Sequence, residues 1–132
     1  MDARQIKARA RAALKDWSAR LGLSDWHIDL EFSEGDGGTY ASSLCDPELL
    51  RMDLSFFVGL HRAEPHHIEA TIAHELVHAV LSPIMHALDS GLTREEAMSI
   101  EEQAVVRLER AIFNTYPGAK RARQGSSHKR AS

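Results

Sequence analysis

"IEATIAHELVHAVLSPI", residues 68 to 84, is the stretch on which the reading of the fold turns. Ile72, Leu76, Ala79 and Val80 recur at spacings of three and four, which is a helical period. Pro65 suits the first turn of that helix, and Pro83 predicts its end near Ser82. Inside it, His74-Glu75-Leu76-Val77-His78 sets two histidines on one face, their Cβ atoms ~5–6 Å apart. Imidazoles so placed can converge on one tetrahedral metal at ~2.0–2.1 Å. Glu75 lies ~100° round the helix from His74, poorly placed as a ligand but within reach of a water on that metal. There it can act as a base during attack on a carbonyl and then protonate the leaving amine. With 8 His and 11 Glu among 132 residues, random order produces this pattern roughly 4% of the time by simple counting, so its surroundings must carry weight.

Upstream, the period changes. Trp26, Ile28, Leu30 and Phe32 alternate with His27, Asp29 and Glu31, a half-buried strand. "EGDGG" at 34 to 38 is turn chemistry, and "GTYASSL" predicts a second strand. A third is expected over 49 to 56, with Leu50, Met52, Leu54 and Phe56 on one face. Before them, residues 2 to 21 form an amphipathic helix through Ile6, Ala10, Leu14, Trp17 and Leu21, with Gly22 as its cap. After Pro83, residues 83 to 92 read as a connector. Thr93 and Glu96 then form a capping box that opens a last helix ending near Asn114. The expected class is α+β: an N-terminal helix, a small, about three-stranded and mostly antiparallel sheet, the histidine-bearing helix and a C-terminal helix.

A catalytic metal needs a third protein ligand and one open position. His86 and Asp89 fall in the connector. The last helix offers a better donor. With Met98 at 0°, Ala104 falls at ~240°, Leu108 at ~280°, Ile112 at ~320° and Val105 at ~340°, and Glu101 falls at ~300° in the middle of that arc. A carboxylate inside an apolar face costs several kcal/mol unless paired or coordinated. Glu101 is therefore the expected third ligand. Glu102, at ~40°, is the alternative, because a one-residue rotation exchanges the two roles. Tyr40, His86 and Tyr116 are candidates to stabilise an oxyanion. His66 and His67 read as a solvated first turn, and Cys45 has no basic neighbour to activate it.

An H-E-x-x-H helix followed by a glutamate on a later helix resembles the gluzincin type of zinc metallopeptidase. The order of "DWHIDLEF", "LLRMDLSF", "ATIAHELVHAVL" and "IEEQAVVRLERAI" is similar to its small stand-alone members, the ImmA/IrrE-type peptidases and short phage- or prophage-encoded proteins. The resemblance covers about residues 24 to 114. It implies Zn2+ on His74, His78 and Glu101, with Glu75 as the catalytic base and a protein or peptide as substrate. Two positions depart from the ImmA/IrrE pattern: Val77 replaces the glycine of HELGH, and Val105 replaces an asparagine four residues after Glu101.

Composition bounds the rest. Hydrophobic content of 43% and charged content of 27% are ordinary for one globular domain. Residues 1 to 116 carry 11 basic against 19 acidic residues, net −8, and are expected to form the peptidase domain. Residues 117 to 132 hold five basic and no acidic residues and read as a disordered tail. An acidic body disfavours nucleic acid as a partner, leaving only a weak route through the tail. No apolar run reaches the ~18 residues of a membrane span, and the first residues lack a signal-peptide core. The single Cys45 points to a reducing compartment, most simply the cytoplasm. Two other function classes remain open: a metal-binding interaction protein that does not hydrolyse, and a nucleic-acid accessory factor using the tail.

Overall fold

The computed structural model describes residues 1 to 119; the greater part of the basic tail lies outside the described residues. The chain is α+β. Helix α1 (Ala3–Arg20) leads into strands β1 (His27–Ser33), β2 (Ala41–Asp46) and β3 (Arg51–Phe57). Helix α2 (Val58–Ala63) and a 3-10 turn (Pro65–His67) precede α3 (Ile68–Asp89) and α4 (Arg94–Phe113). Two helix starts are capped, that of α4 largely as the sequence predicts and that of α1 without a sequence expectation. Asp2 accepts from the Gln5 amide, and the Gln5 side chain returns a bond to the Asp2 backbone. Thr93 accepts from the Glu96 amide at 3.3 Å, but Glu96 closes the ring through the Thr93 hydroxyl instead of its backbone N–H.

The sheet is mixed, in the order β1-β3-β2, with β1 parallel and β2 antiparallel to the central β3. Alternation on β3 makes it one-sided: Met52, Leu54 and Phe56 are at most 1% exposed, while Arg51 and Asp53 face solvent. On that outer face Arg51 bridges Asp29 at 3.0 Å, offsetting the Asp29–Asp53 juxtaposition that the register imposes. On the inner face Ile6, Ile72, Leu76 and Val80 of the helices meet Met52, Leu54 and Phe56 in one core. Gly35 lets the turn after β1 approach Phe57 closely. Its φ is +84°, and a Cβ there would stand 2.7 Å from the Phe57 Cβ.

Two expectations about the chain path are corrected, and one element is added. The third strand begins at Arg51; Leu49 and Leu50 belong to the turn, Leu50 with a φ of 49°. The six-residue α2 had no sequence expectation at all. Most consequentially, α3 passes through Pro83 and runs seven residues beyond Ser82 to Asp89. Proline cannot donate to the carbonyl four residues back, which is that of Ala79. Ser82 Oγ donates to that carbonyl at 2.7 Å, so the group stays satisfied and the helix continues. Ser82→Ala is expected to cost about 1–2 kcal/mol in urea unfolding, because a carbonyl on a buried residue loses its donor. In a Pro83→Ala background the restored amide takes over and the penalty nearly vanishes. Equal penalties in both backgrounds would refute this account of the helix.

Candidate active site

The helical period of α3 sorts the motif by exposure. Ile72, Leu76, Ala79 and Val80 go into the core, and His74 and His78 stay exposed on the adjoining flank. Their rings lie 5.0 Å apart between centroids, at 81° to one another. Glu75 turns towards β2 and is only 6% exposed. Ser43 Oγ donates to its Oε2 at 2.5 Å. Among the described residues, Glu75 forms no ion pair with a lysine or arginine. A nearly buried carboxylate with a single hydroxyl partner, set between two imidazoles, is short of positive charge. The donor chemistry therefore suits a divalent metal at the histidine pair.

The third donor is not assembled. Among the described residues no group of three or more His, Cys, Asp or Glu side chains is arranged to hold a metal ion. Glu101 and Glu102 are both exposed. The premise that Glu101 sits inside a buried apolar face is thereby corrected. The face of α4 that packs consists of Ala97, Ile100, Ala104, Leu108 and Ala111, centred near ~240° on the same wheel. Met98, Val105 and Ile112, which draw the expected arc towards Glu101, point outward at 57%, 46% and 71% exposure. Glu101 stands ~60° from the packed centre and Glu102 ~160°. His86 lies on α3 eight residues beyond His78, about 12 Å by helix rise, and bonds Glu48 at 2.7 Å. Asp89 is exposed at the end of α3.

A groove runs between β2 and α3, with Glu75 at its middle. One half, about 410 Å³, is lined by residues 38 to 41 and by His67, Thr71 and His74. The other, about 380 Å³, is lined by residues 42 to 45 and by His78, Ser82 and Met85. β2 and α3 thus run side by side in the same direction. β2 is an edge strand, and its free bonding groups can be identified. Phe57 N–H donates to Tyr40 O at 3.0 Å, so Tyr40 and Phe57 form a hydrogen-bonded pair. Antiparallel pairing then alternates, leaving the backbone groups of Ala41, Ser43 and Cys45 turned to the open edge. A further recess of about 430 Å³ lies away from the motif, between α1 and the start of α3.

At the upper end of the groove is a cluster that sequence reading missed. Tyr40 stacks on His67 at 5.3 Å and donates its hydroxyl hydrogen to Glu64. That bond, then burial and the charge of Glu64, push the Tyr40 hydroxyl above its ordinary range, and the same bond holds Glu64 below the usual carboxylate range. His67 is therefore half-buried groove wall, not solvated first turn; the adjacent His66 is exposed. His61 lies fully buried under Tyr40, stacked on Phe56 at 4.3 Å, with neither ring nitrogen hydrogen-bonded. Burial lowers its pKa and keeps it neutral. The "GLHRAE" segment carries no periodicity that would have marked His61 as core. Cys45, facing Glu75 from β2, is pushed up first by burial and then by that carboxylate, so it stays a thiol. Tyr116 is buried, away from an oxyanion role at the surface. Comparison of the chain with family models, with curated proteins and with solved structures finds no match.

Proposed function

We propose that the chain is a zinc-dependent peptidase that hydrolyses a bond in a specific protein substrate. The observation that carries this reading is Glu75: nearly buried, flanked by two exposed histidines, bonded by Ser43 and unpaired with any cationic side chain among the described residues. His74 and His78 would hold the metal, with Glu101 as third ligand. Glu101 is preferred to Glu102 because it borders the packed face of α4. When bound, zinc supplies Lewis acidity that polarises the peptide carbonyl and makes water nucleophilic.

The protein's own groups do the rest. Ser43 Oγ holds Glu75 Oε2 and so orients the carboxylate, leaving Oε1 free. Oε1 takes a proton from the attacking water and returns it to the leaving nitrogen. An extended peptide can add to β2 through the backbone groups of Ala41, Ser43 and Cys45. That alignment sets its carbonyl beside Glu75, because Ser43 is at once an edge residue and the carboxylate's partner. The groove is shallow, and such a groove needs binding energy from a particular substrate; efficient cleavage of casein would count against this. Among the described residues no helix is long and apolar enough to cross a membrane. The free thiol of Cys45 favours the cytoplasm as the working compartment.

The second reading, an interaction protein that binds metal without hydrolysis, draws on the exposed Met98, Val105 and Ile112 of α4. Metal analysis is the first test of the site. The purified chain is expected to carry about one zinc, as a catalytic site with three protein ligands and one open position does, and His78→Ala to lose it. Purified chain without stoichiometric zinc under metal-replete conditions sinks the peptidase reading.

A further inference from the structure

The two halves of the groove differ in chemistry, and their order along β2 has a consequence for specificity. Beyond His78 the wall carries Met85 and Cys45, with Leu44 at the rim and the small Ser42, Ser43 and Ser82 between them. Met85 is 60% exposed and lines the groove. The half-buried Cys45 side chain adds a small, weakly polar surface beside it. On the other side of Glu75 the wall is more polar: Thr39, Tyr40, His67 and Thr71, with only the small Ala41 and Ala70 between them. The Met85 half therefore takes a large apolar side chain at a lower desolvation cost than the Tyr40 half.

Strand addition fixes which residue of a substrate meets which half. A peptide pairing with β2 antiparallel, the more stable arrangement per residue, runs against the direction of β2. β2 runs from the Tyr40 end to the Met85 end of the groove. The peptide then enters with its N-terminal side at Met85 and leaves past Tyr40.

Resting on the peptidase reading above, we infer that Met85 and Cys45 form a specificity subsite for an apolar residue on the N-terminal side of the scissile bond. The substrate class is an extended segment with a leucine-, methionine- or phenylalanine-sized side chain immediately before the cut. The Tyr40–His67 half receives the residues on the C-terminal side of the cut.

The test has two arms. In the first, a random-sequence peptide mixture is digested and the product termini are read by mass spectrometry. New C-termini are expected to be enriched in Leu, Met and Phe. Met85→Glu, a change at an exposed position, should lower kcat/KM for a Leu-containing peptide roughly tenfold or more and move the enrichment to Lys and Arg. Enrichment confined to new N-termini, or a profile that Met85→Glu leaves unaltered, overturns the inference. In the second arm, ¹⁵N-labelled Glu75→Gln protein is titrated with two extended peptides that differ only in a central Leu or Asp. The Leu peptide alone should shift the amide signals of Cys45, Ser82 and Met85. Leu-selective shifts in a protein whose wild type cleaves nothing would leave the subsite standing and remove hydrolysis. Cleavage without residue preference would do the reverse, and neither binding nor cleavage would remove both.

Discussion

The Glu75→Gln variant is expected to keep about one zinc per chain and to lose peptide hydrolysis by about 10²–10⁴-fold in kcat. The substitution is nearly isosteric. Its amide oxygen still accepts from Ser43 Oγ, so the β2–α3 contact survives. The variant lacks only the group that takes a proton from water and delivers it to the leaving nitrogen. Retained metal and an undiminished thermal melt, alongside lost turnover, separate a missing base from a collapsed site. Stability should not fall and can rise, since a neutral amide at a position 6% exposed has less solvation to lose than a carboxylate. Undiminished cleavage by Glu75→Gln eliminates Glu75 as the base. Cleavage that tracks a trace contaminant and not the zinc content eliminates the chain as the enzyme.

The second large effect concerns α4. Glu101→Ala should weaken zinc binding by more than the ~10–100-fold typical of an outer partner, whereas Glu102→Ala should change it only slightly. The reason is rotational. Ala104 and Ala111 define the packed side of α4, and Glu101 flanks it while Glu102 lies nearly opposite. A turn of about 60° would carry Glu101 to the packed side of α4, whereas Glu102 would need about 160°. Competition with a fluorescent zinc chelator measures each variant. Matching small losses would place the third ligand elsewhere; a large loss for Glu102→Ala alone would reverse the assignment.

Much of the molecule is legible in its sequence. His74, Glu75 and His78 stand out because a helix forces residues four apart onto one face, whatever surrounds them. The strands are legible because the sheet is covered on one side only, so Met52, Leu54 and Phe56 alternate with polar neighbours. Other features depend on contacts between distant parts of the chain. The extent of α3 rests on one hydroxyl, that of Ser82, reaching a carbonyl that proline leaves free. The orientation of α4 escapes a helical wheel because large apolar side chains dominate one. Here the larger residues Met98, Val105 and Ile112 face out, and small alanines make the contact. His61 and His67 escape as core and groove residues because nothing local distinguishes a histidine stacked on Phe56 or Tyr40 from a solvated one.

The alanine face of α4 bears on more than ligand identity. Two buried methyl groups, at Ala104 and Ala111, with half-buried Ile100 and Leu108, remove little apolar area from water for a twenty-residue helix. A helix so lightly anchored opens at low free-energy cost, well before the sheet and α3 unfold. If Glu101 is a ligand, metal occupancy and the docking of α4 become thermodynamically linked: each stabilises the other by the same amount. The cation would then be a clasp as well as a reagent. Zinc scarcity would loosen the C-terminal helix and dismantle the site, making the protein's own order a reporter of the metal supply around it.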